Sequence, residues 1–493
     1  MARPLRWYHI ITINIFFLAL TVLSQTNGLV FPLLVQDFVG EATKGTRLGE
    51  LRLWSLMAAL LWQALMGMLS DRSLSRFGRR RPFIFVGTLG LLVFLVLIGI
   101  SSGMEGAAGF TFLFTVAVLM SFASNTAHGA QQGLIPDLVP DAQRGRYSAV
   151  KAMLEIPIPL ILVSFTIARF VARGQLWIAL GIVGAVLVVA MLLTLLTPET
   201  PQRKEDAPPF EWQPILRLVL MTAMFTAIIL GLGELVKRLD LVFGGMNSAV
   251  LLMIGVGAVG VIGMLIAIAI GVWISVRISI GGRAAADNPS FTWWVINRLA
   301  FLVGTTNLST FAIYFLQGRL GLERERAAGP AALLMTVIGV FILLAALPSG
   351  FLGDKFGHKR MVFIAGILAA LGVLIALLLP NMTIIYAGGS LIGIATGFFF
   401  TANWALGTRI VPAAEAGRYL GISNLAGAGA GAVGAYIGGP IADYLTQRLP
   451  QVPGAGYILL FGIYGVMFLL SVLALRGVVA PARATTEYAP AAA

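Results

Sequence analysis

Glu155 lies about ten residues into a long apolar run, roughly 15 Å deep if that run is a helix. A carboxylate held there loses hydration, which favours its neutral form and suits it to carrying a proton. Arg298, at similar depth in another run, is a candidate partner. Lys151, one turn before Glu155, offers a purely structural pair. His128 titrates near neutrality and is a second proton-handling candidate.

A second set of residues suits solute recognition. In helical register Thr21, Ser24, Gln25 and Gly28 share a face, with Asn27 beside them; Asn125, His128 and Gln132 share another. Asn297, Gly304, Asn307, Thr310 and Tyr314 form a third stripe, and Thr396, Phe399, Phe400, Asn403 and Trp404 a fourth. Amides can bond hydroxyl groups, and aromatic faces can cover a C–H surface, as a sugar requires. Ordinary interhelix hydrogen bonding uses the same residue types.

A third set is charged. Asp71, Arg72, Arg76, Arg79, Arg80 and Arg81 stand between two apolar runs in "GMLSDRSLSRFGRRRPFI", and "GFLGDKFGHKRMVFI" at 350–364 repeats the theme with Asp354, Lys355 and Lys359. Basic residues alone would satisfy the positive-inside rule, but that rule asks for no acid. Asp71 and Asp354 therefore point to ion pairing, which Asp137 at the end of the fourth run could join.

The elements that carry these groups are read from the apolar runs. Mean hydropathy is +0.91, and 58% of the 493 residues are hydrophobic against 11% charged. Runs of 18 or more apolar residues recur along the chain, which predicts an all-α membrane protein: lipid cannot satisfy backbone groups, and the runs are too long for barrel strands. Spans are predicted near 8–36, 50–70, 82–103, 107–136, 146–172, 175–197, 215–236, 247–278, 291–318, 331–352, 361–379, 384–409, 417–446 and 456–476. Fourteen spans place both termini on one side. If that side is the cytoplasm, about 22 Lys/Arg fall inside and about 11 outside, as the positive-inside rule expects. The first span is read as uncleaved. The proline-rich stretch 197–214 reads as a linker, and the tail 478–493 as disordered. There is no cysteine, so disulfide and thiolate chemistry are excluded. The net charge of +13 is read as membrane orientation and not as nucleic-acid binding.

Internal repeats organise the chain. Asp71-Arg72 with Phe77-Gly78-Arg79-Arg80 matches Asp354-Lys355-Phe356-Gly357-His358-Lys359. "VPDAQRGRY" (139–147) matches "VPAAEAGRY" (411–419), and Thr26-Asn27 with Phe31 matches Thr306-Asn307 with Phe311. The order is conserved between the copies, which predicts two parallel six-helix bundles, 1–197 and 291–477. Residues 198–290 then hold the linker and two inserted helices, which are expected to pack outside the core.

The loop pattern between the second and third spans, repeated between the eighth and ninth of the two bundles' count, resembles the signature of the major facilitator superfamily. "SDRSLSRFGRRRPFI" is similar to sucrose–proton symporters and their relatives, and "LIPDLVPDAQRGR" to the glycoside–pentoside–hexuronide branch. The resemblance implies two bundles rocking about a central cavity. It implies a solute site among Gln25, Asn27, Asn125, His128, Gln132, Asn307, Tyr314, Asn403 and Trp404, with Glu155 and Arg298 coupling proton movement. It also implies an inner-face latch of Asp71, Arg76, Arg79, Arg80, Asp137, Arg146, Asp354, Lys355, Lys359 and Arg418, in which Asp71 reaches Arg76, Arg79 or Arg80, or the helix start at Gly417-Arg418.

The expected function is secondary active transport by alternating access, with proton-coupled (or Na⁺-coupled) uptake of a small molecule, a sugar or glycoside, by a monomer in the cell membrane. An exporter of amphipathic solutes is the alternative within transport, and a non-transporting sensor the alternative outside it. Gly-Lys does not occur, so no Walker A loop is present, and H-E-x-x-H does not occur either. An enzyme is not expected, and no cofactor or metal is.

Overall fold

A computed structural model describes residues 6–140, 143–199, 212–411 and 416–479, with the backbone alone over 416–424. The linker and tail lie largely outside these ranges, and the side chain of Arg418 lies outside them too. Among the described residues, thirteen helices are long and apolar enough to cross a membrane. A helix pair bent by 61° makes the fourteenth span, and the chain is a multi-pass membrane protein.

The N-terminal bundle holds α1 (His9–Val39), α2 (Lys44–Asp71), α3 (Arg81–Ser101), α4 (Gly106–Leu138), a broken fifth span and α8 (Leu176–Thr194). The fifth span comprises α5 (Arg144–Glu155), α6 (Pro157–Leu162), a π-helical turn at Val163–Ile167 and α7 (Ala168–Val171). Pro157 and Pro159 lack the amides that would continue the ladder, and the helix breaks at Ile156 between them and Glu155. The inserted pair follows: α9 (Trp212–Val236), with the short α10 (Leu239–Phe243) after it, and α11 (Ala249–Ile280). After the short α12 (Gly282–Asp287), the C-terminal bundle begins with the bent span, α13 (Pro289–Thr310) and α14 (Ala312–Leu320). It continues through α15 (Ala328–Phe356), α16 (His358–Leu378), α17 (Met382–Ile410), α18 (Ala416–Arg448) and α19 (Ala455–Ala474).

Between the bundles, the main seam is α2 against α18. Its chemistry is that of small residues. A β-carbon on Gly49 would collide with the Ala435 carbonyl, and one on Gly439 with the backbone of Gly45. Only hydrogen at these α-carbons lets the two backbones approach so closely, and close approach replaces the hydrophobic drive that lipid does not supply. The seam runs from Gly45–Gly439 to the contact of Leu56 with Gly431. Beyond it, a β-carbon on Gly67 or Gly427 would meet nothing within 4 Å. Among the described residues, the bundles therefore pack tightly at the face that carries residues 40–43 and part toward the opposite one. We name the tight face outer, after the orientation that the charge excess predicts.

Candidate functional site

The outer closure is polar and spans both bundles. Asp443 of α18 accepts from the backbone amides of Gly45 (2.9 Å) and Thr46 (2.7 Å) and from the Thr46 hydroxyl (2.7 Å). Lys44 donates to Gln317 Oε1 at 3.1 Å and pairs with Glu41 at 2.7 Å. Gln317 donates to Gln36 Oε1 at 3.0 Å, Tyr314 donates to the Pro32 carbonyl at 2.6 Å, and Arg324 pairs with Asp37. Burial works to raise the Glu41 carboxyl, but the Lys44 bond and charge and the Gln36 amide outweigh it and hold it below its ordinary value. A second tie joins the fifth span to α15: Ser164 donates to the Ala332 carbonyl at 2.6 Å and Thr336 to the Leu160 carbonyl at 3.0 Å, beside the π-helical turn. Tyr314 thus stands in the closure.

The inner-face charges behave differently in the two bundles. Arg80 pairs with Asp71 and, through Nε at 2.9 Å, with Asp137; Arg79 Nε donates to Asp137 at 3.1 Å. The cluster therefore binds α2, α3 and α4 of one bundle to each other. Asp71 is met by Arg80 and not by Arg76, whose guanidinium lies 4.8 Å from the Phe77 ring. Arg146 is exposed at the start of α5. In the C-terminal copy the described contacts are different. Asp354 is largely exposed, with His358 Nε2 3.5 Å away; Lys355 lies over Phe356, and Lys359 donates to the Val478 carbonyl at 2.6 Å. In the repeat register Arg409 occupies the place that Asp137 holds in the first copy.

Glu199, just after α8, accepts from the backbone amides of Arg80 (2.7 Å) and Arg81 (3.2 Å) at the N-terminus of α3. Burial raises its carboxyl above the ordinary value, against the pull of these amides and of the Arg81 charge. Sequence reasoning placed this residue in a linker and missed it. The four unsatisfied amides of a helix start were the available signal.

The predicted solute residues fall into separate groups. Asn27 and Asn125 line a cavity of about 140 Å³ inside the N-terminal bundle, together with Ser24, Arg52, Ser55 and Ser121. Asn27 donates only to Met120 Sδ at 3.5 Å, and Asn125 to the Ser121 carbonyl at 2.8 Å. Gln25 faces instead a narrow crevice between the bundles, near Ser164 and Ser309. Gln132 and His128 meet at 3.1 Å, and the His128 ring lies edge-on to Phe17. Lys151 covers the other approach to Phe17, with its Nζ 4.3 Å from the ring centre.

Glu155 pairs with Lys151 at 3.7 Å. It does not pair with Arg298, which donates to Asn403 Oδ1 at 3.0 Å. Asn403 in turn donates to Asn297 Oδ1 at 2.8 Å, and its carbonyl accepts from Trp294 at 3.0 Å. The Arg298 guanidinium lies 5.7 Å from the ring of Trp404, which is 45% exposed. Asn307, by contrast, is fully buried and donates to the Val303 and Ala430 carbonyls at 2.9 and 3.1 Å, so it serves packing against α18. Two polar centres are thus formed: Glu155–Lys151 in one bundle and the Arg298–Asn403–Trp404 group in the other. Arg52 escaped sequence reasoning because it stands two residues inside the predicted second span, where a charge reads as loop. A charge at the head of a largely apolar run to residue 70 was the signal.

A family model for the Major Facilitator Superfamily matches residues 15–321 and 294–492. Among curated relatives, a proton-associated sugar transporter of Homo sapiens is 37% identical over 109 residues, 20% of this chain and 15% of that protein. A sucrose transport protein of Arabidopsis thaliana is 31% identical over 110 residues, 19% of this chain and 18% of that protein. The chain thus spans less than a fifth of the length of these two relatives. Among solved structures, a D-xylose–proton symporter superposes with a TM-score of 0.62 at 16% identity, covering 95% of this chain and 96% of that one. A nucleoside transporter reaches 0.64 at 15% identity, covering 95% and 99%.

Proposed function

This chain belongs to the Major Facilitator Superfamily, and from that premise we propose that it is a secondary active transporter coupling proton movement to uptake of a sugar or glycoside. Both termini face the cytoplasm of a cell membrane, and a monomer is the working unit. The bundles 1–197 and 291–477 rock about the α2–α18 seam, with 198–290 between them. The observation that carries this reading is the one-sided closure: polar ties join the bundles at the outer face, while Gly67 and Gly427 stand in open space toward the inner one. A two-state carrier needs a closure that can be exchanged for one on the other face. The solute side is supplied by Arg298, Asn403 and Trp404, a planar hydrogen-bonding group next to a half-open aromatic face. The coupling side is supplied by Glu155. When protonated, it leaves Lys151 without its counter-charge, which changes the charge of the pathway between states.

The test is uptake of radiolabelled sucrose, maltose and glucose into proteoliposomes, with and without an inward pH gradient. Gradient-driven accumulation of at least one sugar is expected, together with its loss in Glu155→Gln while counterflow persists. No uptake under either condition ends the sugar reading, and full accumulation by Glu155→Gln removes Glu155 from coupling.

A further inference from the structure

The inner ends of three helices of the C-terminal bundle meet around a cavity of about 670 Å³ that neither the closure nor the solute group uses. Four cations line it: Lys355 from the end of α15, Lys359 and Arg360 from the first turn of α16, and Arg476 from the turn after α19. Among the described residues, no carboxylate lines it. Asp354, the acid next to Lys355 in sequence, lies outside the lining, with His358 Nε2 3.5 Å away. Lys359 donates to the Val478 carbonyl, and Lys355 lies over the Phe356 ring. Among the described residues, Arg360 and Arg476 have neither an ion pair nor a side-chain hydrogen bond.

The apolar half of the cavity lies deeper. On α16, Phe363 stands three residues after Arg360; on α19, Leu473 stands three before Arg476. Because α16 runs away from the inner face and α19 runs toward it, each helix carries its arginine at the membrane edge. Each then carries its apolar residue about 5 Å further in, on the same side. Phe363 is 51% exposed and Leu473 50%, so the cavity opens to lipid as well as to the inner water. Below this level the helices close, because a β-carbon on Gly366 would collide with Val472. The cleft therefore has a floor, and helix packing fixes its walls.

A basic rim above an apolar floor selects an amphiphile. Cations gathered at a membrane edge attract anionic headgroups, and a guanidinium meets phosphate oxygens in a bidentate way. A soluble anion would use the rim alone, whereas an acyl chain also covers the exposed apolar lip. A zwitterionic headgroup brings its own cation into the rim and loses the advantage. We propose that this cleft binds an anionic glycerophospholipid of the inner leaflet, its phosphodiester between Arg360 and Arg476 and one acyl chain over Phe363 and Leu473. Bound there, the lipid links the inner ends of α16 and α19 beside the Lys359–Val478 contact. The site rests on the membrane fold and is independent of which solute is carried.

Phosphatidylglycerol and phosphatidylcholine with the same acyl chains isolate the headgroup charge. The full chain in detergent is unfolded thermally with each lipid at rising mole fraction and matched ionic strength, and with glycerol phosphate and inorganic phosphate as soluble anions. Phosphatidylglycerol is expected to reach a given rise in unfolding temperature at a mole fraction at least about fivefold lower, the factor that one basic residue at a membrane surface supplies. The soluble phosphates are expected to give no rise. Arg360→Gln with Arg476→Gln loses the advantage of phosphatidylglycerol. Arg217→Gln with Arg283→Gln, which removes two exposed inner-face arginines outside the cleft, keeps it. Equal responses to the two lipids overturn the site, as does an advantage that survives the loss of Arg360 and Arg476. An equal loss without Arg217 and Arg283 means diffuse attraction to the whole face and also overturns it. A soluble phosphate that matches phosphatidylglycerol means a free-phosphate site and overturns the lipid. If the Arg360 and Arg476 variant does not fold, acetylation of the wild-type lysines decides. Lys355 and Lys359 should then react severalfold more slowly in phosphatidylglycerol than in phosphatidylcholine, with Lys237 on the outer face unchanged. Equal rates at Lys355 and Lys359 in the two lipids overturn the site.

Discussion

Asp443 accepts hydrogen bonds from the backbone amides of Gly45 and Thr46 at 2.9 and 2.7 Å, so a carboxylate of the C-terminal bundle closes the N-terminus of α2 in the other bundle. The first amides of a helix have no partner within it and carry the positive end of its dipole. A carboxylate there is both a cap and a bolt between the bundles.

Asp443→Asn is therefore expected to loosen the outer closure. It removes the charge but keeps one acceptor, which weakens charge-assisted bonds by about 1–2 kcal/mol, roughly a tenfold change in the balance of states. The chain has no cysteine, so Phe31→Cys, at a position 8% exposed in the closed state, reports opening without background. A membrane-impermeant maleimide should label it about tenfold faster when Asp443→Asn is present. An unchanged rate would show that Asp443 does not hold the closure.

The contrast between Asp443 and Asp354 marks what was legible in the sequence. Span positions, the duplication and the fourteen-helix count follow from apolar length and repeated motifs, because lipid forces both. The α2–α18 seam is built on glycines of both helices, where small residues let the backbones approach. Which face that seam would close was not legible: "GGPIADYL" holds an acid, but its partners are backbone amides nearly 400 residues away, and amides carry no sequence signal. The inner-face motif pointed to acid–base contacts, and Asp71 does meet Arg80. The motif could not say that the described contacts of Asp71, Arg79, Arg80 and Asp137 stay within one bundle, or that they join three of its helices. Nor did anything in "NLSTFAIYF" signal the bend at Phe311, which involves no proline.

Glu199 gives a pH dependence. Burial raises its carboxyl in the folded protein, and the Arg80 and Arg81 amides offset this only in part. A raised folded value means that the folded state holds the proton longer than the unfolded one. The stabilisation is then full below the ordinary carboxyl value and is lost as pH rises through the raised one. Glu199→Gln removes the titration and keeps one carbonyl for the helix start. Its unfolding temperature, measured in detergent from pH 4 to 8, should improve relative to the wild type as pH rises. A difference that stays flat across that range would mean that Glu199 is not desolvated in the fold.

Lys237 tests what the inserted helix pair does. From α9 its Nζ donates to Glu50 of α2 at 3.0 Å, to Glu234 at 2.7 Å and to the Tyr436 hydroxyl of α18 at 3.3 Å. One side chain outside the two bundles thus grips both, on the same face that Asp443 closes. Opening that face must either break the Lys237–Glu50 pair or drag α9 with α2. These side chains are partly exposed, so the pair contributes only about 0.2–1 kcal/mol, or up to about fivefold in population. Lys237→Met should speed labelling of Phe31→Cys by that modest factor. Glu50→Gln should do the same, and the two together should fall short of the sum of the two, because both remove the Lys237–Glu50 pair. Combined with Asp443→Asn, which acts through different groups, the effects should multiply. If Lys237→Met leaves labelling unchanged while lowering thermal stability, the pair only braces the bundle flank and takes no part in the closure.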